Sequence, residues 1–168
     1  MRPRGSVPPE ARRVQVGRGE KVLAGAVTGT GEVVVGTRLA LYLPGAPVRR
    51  IPWEQVHRAD WSPDDQRFRV SEVGDWGEDR PVHEWTIAEP GLLLELVRER
   101  VTATVVLQRH VAVQGGRGFF VVARRPASGR GGLAWLVEFE EGLDPAAPGL
   151  AQEVEQALAR ARAEVDLG

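Results

Sequence analysis

Cysteine is absent from the 168 residues of this chain. That removes disulfides, thiolate metal ligands and a cysteine nucleophile together. No apolar run approaches the ~20 residues of a membrane-spanning helix. The arginine-bearing N-terminus is not followed by an apolar stretch, so no signal peptide is expected. An excess of one charge is also missing. The formal net charge is -1, which exerts no global pull toward nucleic acid or membrane. The expected location is the cytoplasm.

Asparagine is missing too, and Lys21 is the sole lysine among the basic residues. With the Ala, Gly, Pro and Val content, this bias looks like codon pressure in a GC-rich bacterial genome. Abundant arginine is therefore not, by itself, a sign of phosphate binding. What remains is a chain long enough to bury roughly 70% of its extended surface, enough for a core without crosslinks.

Residues 1–19 carry Pro3, Pro8, Pro9 and several arginines without a periodic apolar set, which predicts a flexible basic tail. Strands follow over Glu20–Thr28 and Glu32–Leu43, the second with a bend at Gly36-Thr37-Arg38. Leu39, Leu41 and Leu43 alternate with Ala40 and Tyr42, a period of two. The stretch Arg49–Trp61 then breaks its own period. Ile51 and Val56 both belong inside by composition, yet they have opposite parity, and Pro52 lacks a ladder donor. A β-bulge across Pro52–Gln55 resolves this. Arg67–Val73 and Val82–Ala88 complete an antiparallel meander. Leu92, Leu93, Leu96, Val97 and Val101 then repeat at helical spacing, predicting a helix over 91–101.

Thr37-Arg38-Leu39-Ala40-Leu41-Tyr42, a short turn, and then Arg50-Ile51-Pro52-Trp53-Glu54-Gln55-Val56 resemble the bacterial pleckstrin-homology-like (PH-like) domains. In that family a strand opened by threonine and arginine leads to an Ile-Pro-aromatic step. The resemblance spans roughly Glu20–Val101. It implies a strongly bent antiparallel barrel capped by a helix, used as an adaptable scaffold. Members that bind inositol phosphates carry basic residues in the first hairpin loop. Here that loop is Thr28-Gly29-Thr30-Gly31-Glu32, with no basic residue, so phosphoinositide binding is not expected.

Residues 104–168 lie outside the resemblance. Strands are predicted over Thr104–Val113, Phe119–Ala123 and Leu133–Phe139, with a turn at Gly115–Gly118. Phe119–Ala123 is apolar on both faces, as a central or doubly covered strand would be. Asp144-Pro145 reads as a helix start, and Leu150, Val154, Leu158, Ala161 and Val165 carry the helix to the end. The fold class expected is thus α+β: a tail over 1–19, a PH-like domain over 20–103, and a β-β-β-α extension over 104–168 packed against it.

The residues that could carry chemistry are few. His57, His83 and His110 lie in separate strands without zinc-ligand spacing. Glu138 and Glu140 share a strand face but read as a solvated face, and Asp75-Trp76-Gly77-Glu78-Asp79 lacks the oxygen spacing of a cation loop. The glycine groups match neither phosphate-binding pattern. No catalytic residue, cofactor or metal is expected. One segment stands apart: Arg109, Arg117, Arg124, Arg125 and Arg130 fall between Val105 and Gly132, where there is no acidic residue. Arginines around glycine-rich hairpins can hold phosphate or carboxylate groups. The leading expectation is a non-enzymatic binding or scaffold protein with a protein partner. The alternative is a module for nucleic acid or another polyanion using Arg117, Arg124, Arg125 and Arg130, and an enzyme comes last.

Overall fold

The structure, a computed structural model, describes residues 7–75 and 78–167. The expectations for residues 1–6 and for Trp76 and Gly77 lie outside them. The architecture is α+β, with three antiparallel sheets and three helices among the described residues. The chain divides into two units. One comprises the chain through Thr104 with Pro126–Gly132, the other Val105–Arg125 with Leu133–Gly168.

In the first unit, β1 (Ala24–Val27), β2 (Val33–Gly36), β3 (Ala40–Leu43) and β4 (Arg49–Pro52) form a meander in that order. Thr37 makes the turn between β2 and β3, its Oγ1 accepting the N–H groups of Leu39 and Ala40 at 3.1 Å each. This is the bend expected there, closed by a side chain that competes for backbone donors. The alternation in β3 has a cover on each side. Leu41 and Leu43 enter the main core, whereas Ala40 and Tyr42 join Val35 and Ala11 in a second cluster.

Ala11 belongs to a short helix, α1 (Pro9–Arg12), and is fully buried. Residues 7–19 of the expected tail thus lie on the outer face of β2 and β3, with Val7, Val14 and Val16 packed there. Gly25 permits the approach: a Cβ on it would sit 2.6 Å from the Ala11 Cβ.

The break in Arg49–Trp61 is a single turn of 3-10 helix, Trp53–Gln55, which separates β4 from β5 (Val56–Ser62). A 3-10 turn advances about 120° per residue instead of the strand's half-turn, so it resets the parity. Ile51 and Val56 are both buried as expected, but by a helical turn; the bulge itself comes later, between Val56 and Arg58. The turn also hands the chain to another sheet. β5 pairs with β6 (Arg67–Glu72), which pairs with β7 (Val82–Thr86).

α2 (Leu93–Thr104) buries Leu93, Leu96 and Val97 in the core shared by both sheets. It runs past Val101, the expected end. No closed barrel forms among the described residues. The two sheets meet through the 3-10 turn and through a backbone bond from the Gly29 N–H to the Thr86 carbonyl at 2.8 Å.

The second unit has the expected β-β-β-α order. β8 (Val105–Gln114), β9 (Arg117–Arg124) and β10 (Ala134–Phe139) form a sheet with β9 in the middle, which explains its apolar residues on both faces. α3 (Leu150–Asp166) lays Leu150, Val154, Leu158 and Ala161 against Phe119, Val121 and Val137. Its start corrects the sequence reading. Asp144-Pro145 makes an isolated turn, with Asp144 Oδ1 accepting the Ala146 N–H at 2.9 Å. Gly149, at φ +81°, then redirects the chain into the helix.

Candidate functional site

Leu92, Leu93 and Leu94 are consecutive, and one helix face cannot bury all three. Leu93 is buried and Leu92 is left 43% exposed. Beside it is Leu23, just ahead of β1 and 38% exposed. Together with Ala24, Leu96 and Ala103 they line a groove of about 790 Å³ between the start of β1 and α2. Glu95, Arg98, Glu99 and Thr102 supply its polar groups. Sequence reasoning placed Leu92 with Leu93 and Leu96 on the apolar face of the helix; the run of three leucines was the available sign that one would remain outside.

Two carboxylates in the first unit are tied down by polar contacts. Glu20 accepts from the Thr37 hydroxyl at 2.6 Å and from the Tyr42 hydroxyl at 2.7 Å, and Arg50 lies 3.3 Å away. Burial alone pushes the Glu20 carboxyl up, but these hydrogen bonds and the Arg50 charge outweigh it and hold it below its ordinary value. The Tyr42 hydroxyl also accepts the Gly17 N–H at 2.8 Å, fastening the N-terminal segment. Glu72 points to the same side of β6 as Phe68 and Val70. It receives Arg49 Nε at 2.8 Å and faces His83 Nε2 at 2.7 Å. Hydrogen bonding by Arg49 is the main cause of its lowered pKa, opposed by burial and aided by His83.

The other histidines are also engaged. His110 Nε2 lies 3.0 Å from Glu140 Oε2, which additionally accepts the Gly118 N–H at 2.6 Å; both bonds lower the Glu140 carboxyl. His57 Nδ1 lies 3.0 Å from Ser71 Oγ, a hydroxyl–imidazole pair that sequence spacing did not reveal. Ser71 shares a strand face with the exposed Arg67 and Arg69, and neither it nor His57 lines the groove. Among the described residues no group of three or more His, Asp or Glu side chains is arranged to hold a metal.

The arginines expected to form an anion site fall in both units. Arg130 belongs to the first unit; Arg117, Arg124 and Arg125 belong to the second. Arg124 is 2% exposed at the end of β9, and Arg125 follows it in an exposed position. Arg117 stands at the opposite end of that strand, over Gly142, where a Cβ would meet its Nη1, and its charge helps to lower Glu140. Arg130 is exposed in a turn where its N–H donates to Ser128 Oγ at 3.2 Å. Arg109, in the same acid-free stretch, pairs with Glu164 of α3 at 2.6 Å. The stretch lacks acids in sequence, but Glu140 and Glu164 reach its cations in space.

No protein-family model, curated protein or solved structure matches this chain.

Proposed function

We propose that the chain is a non-enzymatic PH-like binding module that presents the groove between β1 and α2 to a protein partner in the cytoplasm. The observation that carries this reading is the layout of the first unit. Four meandering strands, a tight corner, three more strands and a helix share a single core, and beside that helix lies an apolar groove with charged margins. Such a groove suits a peptide segment that inserts apolar anchors, with main-chain or basic groups meeting Glu95 and Glu99.

Other features weigh against the alternatives. The first hairpin loop bonds within itself, Thr30 Oγ1 donating to Glu32 Oε1 at 2.9 Å, and offers no cation to an inositol phosphate. Arg117 and Arg124 are committed to turn packing and to a buried position, which weakens the polyanion reading.

The test is affinity capture from host extract with the wild-type chain and with Leu92→Asp, followed by direct binding of any captured protein to both. Leu92 is exposed enough for the variant to fold. A partner that binds the wild type and loses at least about tenfold in affinity for the variant supports the reading. Equal binding by both chains would place the contact elsewhere.

A further inference from the structure

Val22 and Leu23 are neighbours in the stretch that leads into β1, and they serve different surfaces. Val22 packs in the outer cluster with Val7, Ala11, Val14 and Val16, whereas Leu23 lines the groove. One short stretch therefore joins the place where the N-terminal segment docks to the groove wall that does not come from α2. Leu23 is tied to the sheet by its own N–H, which donates to the Gly36 carbonyl at 2.9 Å. Three residues upstream, the Glu20 carboxylate is held by the Thr37 and Tyr42 hydroxyls, and the Tyr42 hydroxyl receives the Gly17 N–H.

The segment ahead of Glu20 has few holds. Residues 7–19 contain no strand, so no ladder joins them to a sheet. α1 is four residues long, and its Pro8 cap makes no side-chain hydrogen bond. Pro8 and Ala11 alone in this segment are buried. Ordering it costs backbone entropy at every residue, and small side chains offset little of that. Segments of this kind open locally while the core stays folded. We propose that residues 7–19 are a detachable strap that regulates the groove. Docked, the strap fixes residues 17–22 and with them the Leu23 wall. Detached, it frees Leu23, and the groove loses affinity for its occupant. The regulation rests on the reading of the groove as a binding site. By linkage, an occupant that touches Leu23 holds the strap down by the same factor that the docked strap adds to its affinity.

The full chain without any partner supplies the first test. Hydrogen exchange is followed in rising urea below the unfolding transition. The amides of Val14 and Gly17, both hydrogen-bonded, are expected to exchange at least about tenfold faster than those of β2 and β3. Urea should hardly change their rates, because a local opening exposes little surface. Ala11→Asp puts a charge into the docking place and leaves Glu20, Tyr42 and Leu23 in the chain. It is expected to speed exchange at Gly17 by at least a further factor of about ten. It should also shift the methyl resonances of Leu23 more than those of Leu158 in the second unit's core. Tyr42→Phe, which removes the latch without adding a charge, is expected to give the same changes in smaller measure. The second readout is a protein that binds the wild type and discriminates against Leu92→Asp. It is expected to bind Ala11→Asp at least about tenfold more weakly and to slow exchange at Gly17 in the wild type. Strap amides that exchange only through global unfolding overturn the proposal, as does a Leu23 that stays unmoved in both variants. Binding that depends on Leu92 but not on Ala11 overturns the regulation and leaves the groove reading standing. Binding indifferent to Leu92→Asp removes the groove reading, and the regulation with it.

Discussion

Ile51 and Val56 have opposite parity in one extended stretch, and both are buried, at 1% and 0% exposure. The 3-10 turn between them makes this compatible and also carries Trp53 into the core, where its Nε1–H donates to the Thr37 carbonyl at 2.9 Å. The corner is therefore held by a large apolar side chain and a buried hydrogen bond to the preceding turn. Trp53→Ala is expected to destabilise the chain by about 3–5 kcal/mol, through lost packing and the cavity left behind. Trp53→Phe should cost less but still leave the Thr37 carbonyl without that donor, about 1–3 kcal/mol. Denaturant melts of both variants measure the difference; a Trp53→Phe variant as stable as wild type would mean the hydrogen bond contributes nothing.

Gly36 faces the same corner from β2. A Cβ there would lie 2.6 Å from Leu96 Cδ2 and 3.3 Å from the Trp53 ring. Gly36→Ala is expected to cost about 1–3 kcal/mol by overpacking, although alanine usually favours folding over glycine. A stability equal to or above wild type in a urea melt would show that the α2 side chains can retreat.

This corner was legible in the sequence as a fault in the strand period, and α2 was legible from its leucine and valine spacing. The packing of residues 7–19 was not. Its centre is one alanine, Ala11, whose burial depends on a glycine, Gly25, in a different element. Periodicity cannot report a close approach between two small residues distant in sequence. The helix start was misplaced because Asp144-Pro145 has the chemistry of a cap, while Gly149 sets the direction of the chain. The partners of Arg109 and His110 were not legible either: Glu164 and Glu140 approach through helix packing and sheet register, so an acid-free stretch of sequence is not an acid-free surface.

Acid should reveal the two tied carboxylates. Glu20 and Glu72 both have folded-state values depressed below 4.5, so their stabilisation is present above that value. It is lost as pH falls through the depressed folded-state values. The denaturation midpoint should therefore decline below about pH 4.5, and Glu72→Gln should show a shallower decline than wild type while being less stable at neutral pH. An identical acid profile in the variant would remove Glu72 from the account.

Tyr42 joins three partners through one hydroxyl: Gly17, Glu20 and Arg50. Tyr42→Phe is expected to cost about 1–3 kcal/mol and to loosen the attachment of the N-terminal segment. Hydrogen exchange at the Gly17 amide should accelerate more than exchange in β9. Uniform acceleration would indicate global destabilisation alone.

The polyanion reading has its own measurement. Labelled RNA, DNA and anionic vesicles, titrated at low and moderate salt, are expected to show no site that depends on Arg125 and Arg130. Steeply salt-dependent binding that is lost in Arg125→Ala/Arg130→Ala would restore those residues as a functional surface.

The segment Pro126–Gly132 belongs with the first unit although the strands on either side of it belong to the second. Ala127 packs against the first core and donates its N–H to Glu54 at 3.2 Å. During synthesis, then, the first unit cannot be complete when its last helix leaves the ribosome. It waits for a loop encoded more than twenty residues later, by which time β8 and β9 have also emerged. Folding on the ribosome is usually ordered from the N-terminus, one domain after another. Here the order is interleaved, and a nascent chain halted after α2 carries a first unit still missing a piece.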